Sequence, residues 1–453
     1  MSFAVKELLH IDNCELISTE KTNKKGKTVK LVHLKYDGET PDKCPFCGSA
    51  EFFKGNGTDT ANLKTTPMDG FPTNLKIKYP RKYCYNCNRL WTPNFSEDVS
   101  HPGVTDIACK TIAQEALKHT FEDVSASYDM TANTVKNIFS DYINSHLSKL
   151  RFQTPIFIGI DEINLKKIGL VTVVTDLEHR TIYDMADNML QDDVTEYFMS
   201  LPGRENVQWI CSDMHSGYRK SIDEALPNAR WVIDHFHVVM KANEAMDKVR
   251  RATQSSMDKK TRIETKKGLA YTLRSRAKDM DNEEAEKIRQ CRKLSHYADL
   301  MKAFDLKEEF FDIYDENATS KENAQEAFKK WETTIPEEET FDPFREVAKM
   351  VHHYYEEIFA FWDCPIAITN AFTECSNRLI REDNIKGRGY SFDVLRARTL
   401  YRRKNLEKIM SSGMMLGPSI PESGVVFHSD TLDEEERYNP IYTFDEETGE
   451  LIE

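Results

Sequence analysis

No apolar stretch in this 453-residue chain approaches the roughly 18 consecutive residues that a membrane-spanning helix needs. The opening segment, MSFAVKELLH, lacks the apolar core of a secretory signal. Both absences lead to the expectation of a cytoplasmic protein. Glycine and proline are sparse, at 18 and 16 residues, and 40% of the chain is hydrophobic. That composition excludes a fibrous or largely disordered polymer and leaves material for several domains, each with its own core. Ten cysteines in a reducing compartment read as thiols or metal ligands rather than disulfides. Positive charge is also short, with a formal net charge of -14.

The shortage is local. Between Pro421 and Glu453 eleven acids face one base, so a tail carries ten of the fourteen net negative charges. Elsewhere the sign reverses. Lys248 to Lys278 holds eleven Lys or Arg against Asp258 and Glu264, and Ser376 to Lys404 holds nine against three acids. Clustered bases are the footprint of a polyanion partner, which net charge conceals. A solvated helix face is the competing reading of such runs.

Two Cys-x-x-Cys knuckles, CPFCG and YCYNC, bring in Cys44, Cys47, Cys84 and Cys87 with 36 residues between the pairs. Two thiolates from each complete a tetrahedral structural zinc site; a pair of redox dithiols is the alternative. Residues 1–40 are expected to form a hairpin about KTNKKGK, and NLKIKYPRKY a strand in the spacer, giving a zinc-ribbon domain over 1–100. Residues 101–150 change to a helical period in three segments, with Thr131 as an N-cap. A short helix, a polar turn and a helix opening with Thr and Asn is a helix-turn-helix layout. Its candidate base readers are Asn133, Thr134, Lys136 and Asn137, although an ordinary three-helix unit has the same pattern.

The remainder is organised around PIFIGIDE, a strand-like run ending in Asp161, and VQWICSD, another ending in Asp213. Between and after them the order is three strands, helix, strand, helix, strand, expected of an RNase H-like α/β core over 151–240. The helix AITNAFTECSNRLIRED then brings Glu374, with Asn377, Arg378 and Arg381 on one face at i+3, i+4 and i+7. Two acids on strand ends and one on a later helix suit a pair of divalent metals for phosphoryl transfer. Asp161, Asp213 and Glu374 are the expected Mg²⁺ or Mn²⁺ ligands. His215, Asp234 and His237 are possible accessory groups, whereas Asp176, Asp184 and Asp187 are expected in turns without a role. An all-helical insertion fills 241–362, the core's last helices 363–412, and the acidic tail 413–453. The predicted fold class is thus multidomain α+β. DNA phosphates are assigned to Arg250, Arg251, Asn377, Arg378, Arg381 and Arg388.

In this order CPFCG with YCYNC, GIDE, SDMHSGYRKSI, VIDHFHVVMKANEAMDKVRR and TNAFTECSNRLI with GRGYSF resemble the DDE transposases of bacterial insertion sequences, of the ISL-three type. The resemblance covers most of the chain and departs from the pattern at His215. It implies an enzyme that binds the terminal inverted repeats of its element in double-stranded DNA, cuts them and joins them to a target. It also implies a homodimer, and a two-metal mechanism at Asp161, Asp213 and Glu374. A DNA-binding regulator that no longer cuts, and an RNase H-like nuclease without strand transfer, are the alternatives.

Overall fold

The structure, a computed structural model, describes residues 11–94 apart from 25, then 101–187, 191–255, 269–315 and 320–416, with a few isolated positions besides. Two compact units divide the chain. One contains the residues up to Arg151 together with Asp383–Leu406; the other contains Phe152–Glu382 and the residues from Glu407 on.

In the first unit β1 (Cys14–Lys24) and β2 (Lys27–Tyr36) form the expected hairpin. A longer hairpin follows, β3 (Phe53–Met68) and β4 (Phe71–Cys84), turning through Asp69 and Gly70 at positive φ. An Asp-Gly pair suits such a turn because both central residues must tolerate that region. β4 pairs parallel with β2, and β5 (Arg89–Trp91) pairs antiparallel with β4, so one five-stranded sheet joins both hairpins. The predicted spacer strand lies in β4. β3 escaped sequence reading because its first half is polar and exposed, without alternation.

Three helices follow: α1 (Asp106–Ala116), α2 (Phe121–Ser127) and α3 (Ala132–Ser145). Each is N-capped by a threonine, Thr105, Thr120 and Thr131, whose hydroxyl accepts from the backbone of the first turn. Residues 383–406, expected in the core, instead belong to this unit. The reason is visible at Arg398, which is buried on the helix Phe392–Leu400 and donates to the carbonyls of Ala116 and His119 at the end of α1.

In the second unit β6 (Phe157–Leu165), β7 (Gly169–Asp176) and β8 (Thr181–Asp187) form an antiparallel meander. Then come α4 (Gln191–Ser200), β9 (Trp209–Ser212), α5 (Ser216–Ala225) and β10 (Arg230–Ile233), the predicted order. The sheet runs β10-β9-β6-β7-β8, with β9 parallel to both its neighbours. After it come α6 (His235–Ser255), α7 (Asn282–Cys291), α8 (Ala298–Asp315), α9 (Lys321–Thr334) and α10 (Asp342–His353). No strand occurs in this block among the described residues, as expected. α11 (Ala371–Gly387) closes the stretch, its residues up to Glu382 belonging to this unit.

Asp176, Asp184 and Asp187 stand in β7 and β8 rather than in turns. Asp176 is buried and accepts from the Glu178 and His179 N–H groups, tying off the hairpin. Among the described residues no helix is long and apolar enough to cross a membrane. Residues 417–442 and 445–450 of the acidic tail, and 260–268 of the first basic run, lie outside the described residues.

Candidate active site

The four knuckle cysteines converge. Cys44 Sγ lies 3.6 Å from Cys87 Sγ, Cys47 Sγ lies 3.6 Å from Cys84 Sγ, and all four sulfurs fall within 4.8 Å of one another. Zinc–thiolate bonds of about 2.3 Å require tetrahedral sulfur edges of about 3.8 Å, so the cluster fits zinc. The local sequence explains the shape. The residue after each second cysteine, Gly48 and Asn88, has positive φ, which glycine and asparagine tolerate best. Phe53 and Trp91 pack beside the sulfurs. The Ser49 N–H and then the Asn86 amide favour the Cys47 thiolate, bringing it down to about 6, whereas desolvation and the neighbouring sulfurs push Cys87 up to about 12. Four thiolate charges this close repel one another, so a cation at the centre is what would hold them together.

The second gathering lies at one end of the second unit's sheet. Side chains alternate along a strand, so Phe157, Gly159 and Asp161 of β6 share one face, and Ile158, Ile160 and Glu162 the other. The same alternation links Trp209, Cys211 and, just past β9, Asp213; it links Val232 and, just past β10, Asp234. The packing agrees: Phe157, Trp209, Cys211 and Val232 cluster with Ile368, while Ile158, Ile160, Ile210 and Ile233 cluster on the other side. Cys211 pairs with Gly159, and Ser212 with Ile233. Asp161 lies two residues past the Gly159–Cys211 pair, and Asp213 and Asp234 one residue past the Ser212–Ile233 pair, so the three acids stand at the same end of three adjacent parallel strands. The Asp234 N–H donates to the Ser212 carbonyl at 2.9 Å, extending the β9–β10 ladder to Asp234.

α11 is fastened over that face by polar side chains. Asn370, just before it, donates from Nδ2 to the Ile160 carbonyl at 2.8 Å. The Thr373 and Thr175 hydroxyls are 2.7 Å apart, and Asn377 Nδ2 donates to Asp161 Oδ2 at 2.6 Å. Asn370, Thr373 and Asn377 recur at helical spacing, and all three are buried. Gly159 makes the approach possible: a Cβ there would meet Leu177, Thr175 and Thr373 each at 2.6 Å. The glycine of GIDE is thus a packing requirement of the helix that carries Glu374. None of Asn370, Thr373 or Thr175 was legible as a site residue; the signal for Asn370 and Thr373 was polar residues recurring at helical spacing with Asn377, and Thr175 on β7 had none.

Glu374 converges with a different pair from the one expected. Asp234, His237 and Glu374 each bring a donor atom to within 4.8 Å of the others, and His237 Nε2 is 3.5 Å from Glu374 Oε1. Asp161 is engaged by Asn377, and Asp213 follows β9, the strand between those of Asp161 and Asp234. Glu162 points away from Asp161, as predicted, and accepts from the Tyr218 hydroxyl at 3.0 Å. Burial, and after it the Glu162, Asp213 and Asp161 carboxylates, hold the Tyr218 phenol far above its ordinary value, so it remains a donor. The Cys211 thiol is likewise raised, by burial first and then by Asp234, Cys364 and Glu374.

Residues 158–399, more than half of the chain, match a family model described as a transposase, of the ISL3 type with a DDE site. The chain belongs to the ISL3-type DDE transposases. A relative, the transposase for insertion sequence element IS1001 of Bordetella parapertussis, is 23% identical over 251 residues, covering 54% of this chain and 61% of the relative. The aligned stretch therefore spans less than two thirds of that protein's length.

In this chain the other predicted residues separate into exposed and committed groups. Asn133, Lys136 and Asn137 lie exposed on α3, opposite the buried Val135, Ile138 and Phe139; Thr134 is half-buried, its hydroxyl 2.9 Å from that of Thr131. Arg378 and Arg388 are exposed and Arg381 half-buried. Arg250 is not available to phosphate: it is buried, donating to Asp247 at 2.7 Å and to Gln254 at 2.8 Å. Arg251 is exposed and paired with Asp247 at 2.8 Å. Arg276, from the same basic run, is taken up by Glu308, Asp312 and Asp315, each at 2.7 Å. Asn377, assigned to the DNA backbone from sequence, is spent on Asp161. His215 is exposed at the N-terminus of α5 with its ring edge-on to Tyr218.

Proposed function

We propose that this protein binds the terminal inverted repeats of its own insertion sequence and catalyses metal-dependent cleavage and strand transfer of DNA, acting as a homodimer in the cytoplasm. The observation carrying this reading is the Asn377–Asp161 hydrogen bond, which holds the helix of Glu374 against the face that bears Asp161 and Asp213. The sheet order, with a parallel pair beside a three-stranded meander, supports an RNase H-like core. Asp161, Asp213 and Glu374 are the residues proposed to hold Mg²⁺ or Mn²⁺; the donor set is all oxygen, which such ions prefer. When bound, the metals would supply an activated water or 3′-hydroxyl and charge stabilisation at the leaving oxygen.

The chain's own contribution is positional. Asn377 orients the Asp161 carboxylate, Asn370 and Thr373 seat the helix, and Gly159 sets how closely it approaches. The four-cysteine cluster, loaded with structural zinc, and the exposed face of α3, with Asn133, Lys136 and Asn137, serve end recognition in a helix-turn-helix manner. Arg251, Arg378, Arg381 and Arg388 supply the backbone contacts, which are insensitive to sequence.

The test is Mg²⁺-dependent nicking of DNA carrying the element's ends, followed by joining of a pre-cut end to a plasmid. Cutting and joining are expected. Cutting without joining would make the protein a nuclease, and end binding without cutting would make it a regulator.

A further inference from the structure

We propose that Asp234, His237 and Glu374 form a cation site of their own, in which the imidazole selects a first-row transition metal such as Mn²⁺ over Mg²⁺. The site deepens the proposed function because it shares Glu374, and it would divide that carboxylate between Asp161 and Asp213 on one side and a histidine-bearing pocket on the other. Asp234 and His237 are three residues apart across the start of α6, so a single turn turns both toward Glu374. The three donor atoms lie within 4.8 Å, and the His237 to Glu374 separation is 3.5 Å. Metal bonds of about 2.1 Å need cis ligands about 3 Å apart, so modest side-chain rotation closes the set on an ion.

Two atoms in the pocket lack a hydrogen bond. Asp234 is 1% exposed. Its Oδ1 accepts from the Thr369 hydroxyl and the Asn370 N–H at 3.3 Å each, but its buried Oδ2 has no hydrogen bond. His237 Nε2 is also buried without one. A buried carboxylate oxygen left unsatisfied is costly, and buried charges are normally paired or metal-bound. Bonds from Thr369 and Asn370 to the other oxygen fix the carboxylate's orientation, the arrangement that supports metal ligands. Oxygen-only sets suit Mg²⁺; an imidazole shifts preference along the transition series. Three protein ligands leave coordination positions open for water or a phosphate oxygen.

The test uses the full-length, zinc-loaded protein and Mn²⁺ alone, with pulsed EPR for nitrogen coupling and titration for affinity. Wild type should show imidazole ¹⁴N coupling to bound Mn²⁺. His237→Gln should lose it, with Mn²⁺ affinity at that site falling on the order of tenfold or more, and Asp234→Asn should weaken it similarly. Asp161→Asn should keep the nitrogen signal. Melting curves of each variant establish that it is folded. Absence of nitrogen coupling in wild type, or unchanged Mn²⁺ affinity in folded His237→Gln, overturns the proposal. If coupling is present while Asp161→Ala still cuts DNA, the catalytic reading falls and this site stands; if coupling is absent while cutting depends on Asp161, the reverse holds.

Discussion

The cysteine cluster of the first unit and the carboxylate face of the second both gather metal-ligating atoms, but by opposite routes. Each knuckle supplies two sulfurs from four consecutive residues, with a positive-φ Gly48 or Asn88 next to it, so the ligand geometry is largely local. The carboxylates come from Asp161 on a strand, Asp213 and Asp234 just past two others, and Glu374 on a helix. No short segment of sequence holds any two of them in place. What aligns them is sheet register and the seating of α11 on Gly159. The proposed zinc site should stand or fall with its ion, while the proposed catalytic site should survive loss of its ligands as a fold and fail only as a catalyst.

The sharpest way to break that contrast is removal of zinc by a strong chelator, or Cys84→Ser. Structural zinc contributes apparent folding free energies of about 10–16 kcal/mol in small domains. The sheet of residues 11–94 is expected to lose protection in hydrogen exchange, with residues 157–233 keeping theirs. Equal loss in both would mean the units do not fold separately.

Next in size, Asp161→Ala, Asp213→Ala or Glu374→Ala is expected to slow strand cleavage on the order of 10³-fold or more, the scale of several kcal/mol of lost transition-state stabilisation. End binding should persist in mobility-shift assays and melting should change little. An undiminished rate in any one variant removes that residue from the set.

Gly159→Ala probes the seating of the helix rather than the ligands. An added methyl at 2.6 Å from three neighbours is an overpacking change, expected to cost about 1–3 kcal/mol in denaturant titration and to slow cleavage in parallel. Normal stability with normal cleavage would show that α11 has slack. Smallest of all, Thr131→Ala removes the hydroxyl that accepts from the Thr134 N–H and should cost about 1 kcal/mol in the first unit. End binding should weaken with no change in the cutting rate of bound DNA.

Much of this molecule was readable from residue order. The knuckles, the threonine cap of α3, the strand and helix succession from Phe157 to Ile233, and the strand-free stretch after it follow from local spacing, capping and alternation, which act over a few residues. Other features were not legible. β3 carries polar residues in a strand because the neighbouring β4 holds it, so no hydrophobic alternation announces it. Arg250 and Asn377 have the composition of DNA contacts and are buried against Asp247 and Asp161. Sequence decided which acids stand at strand ends, since strand termination and side-chain alternation are short-range. Only the tertiary structure decided that Glu374 meets Asp234 and His237, because the seating of its helix is set by contacts between residues more than a hundred positions apart.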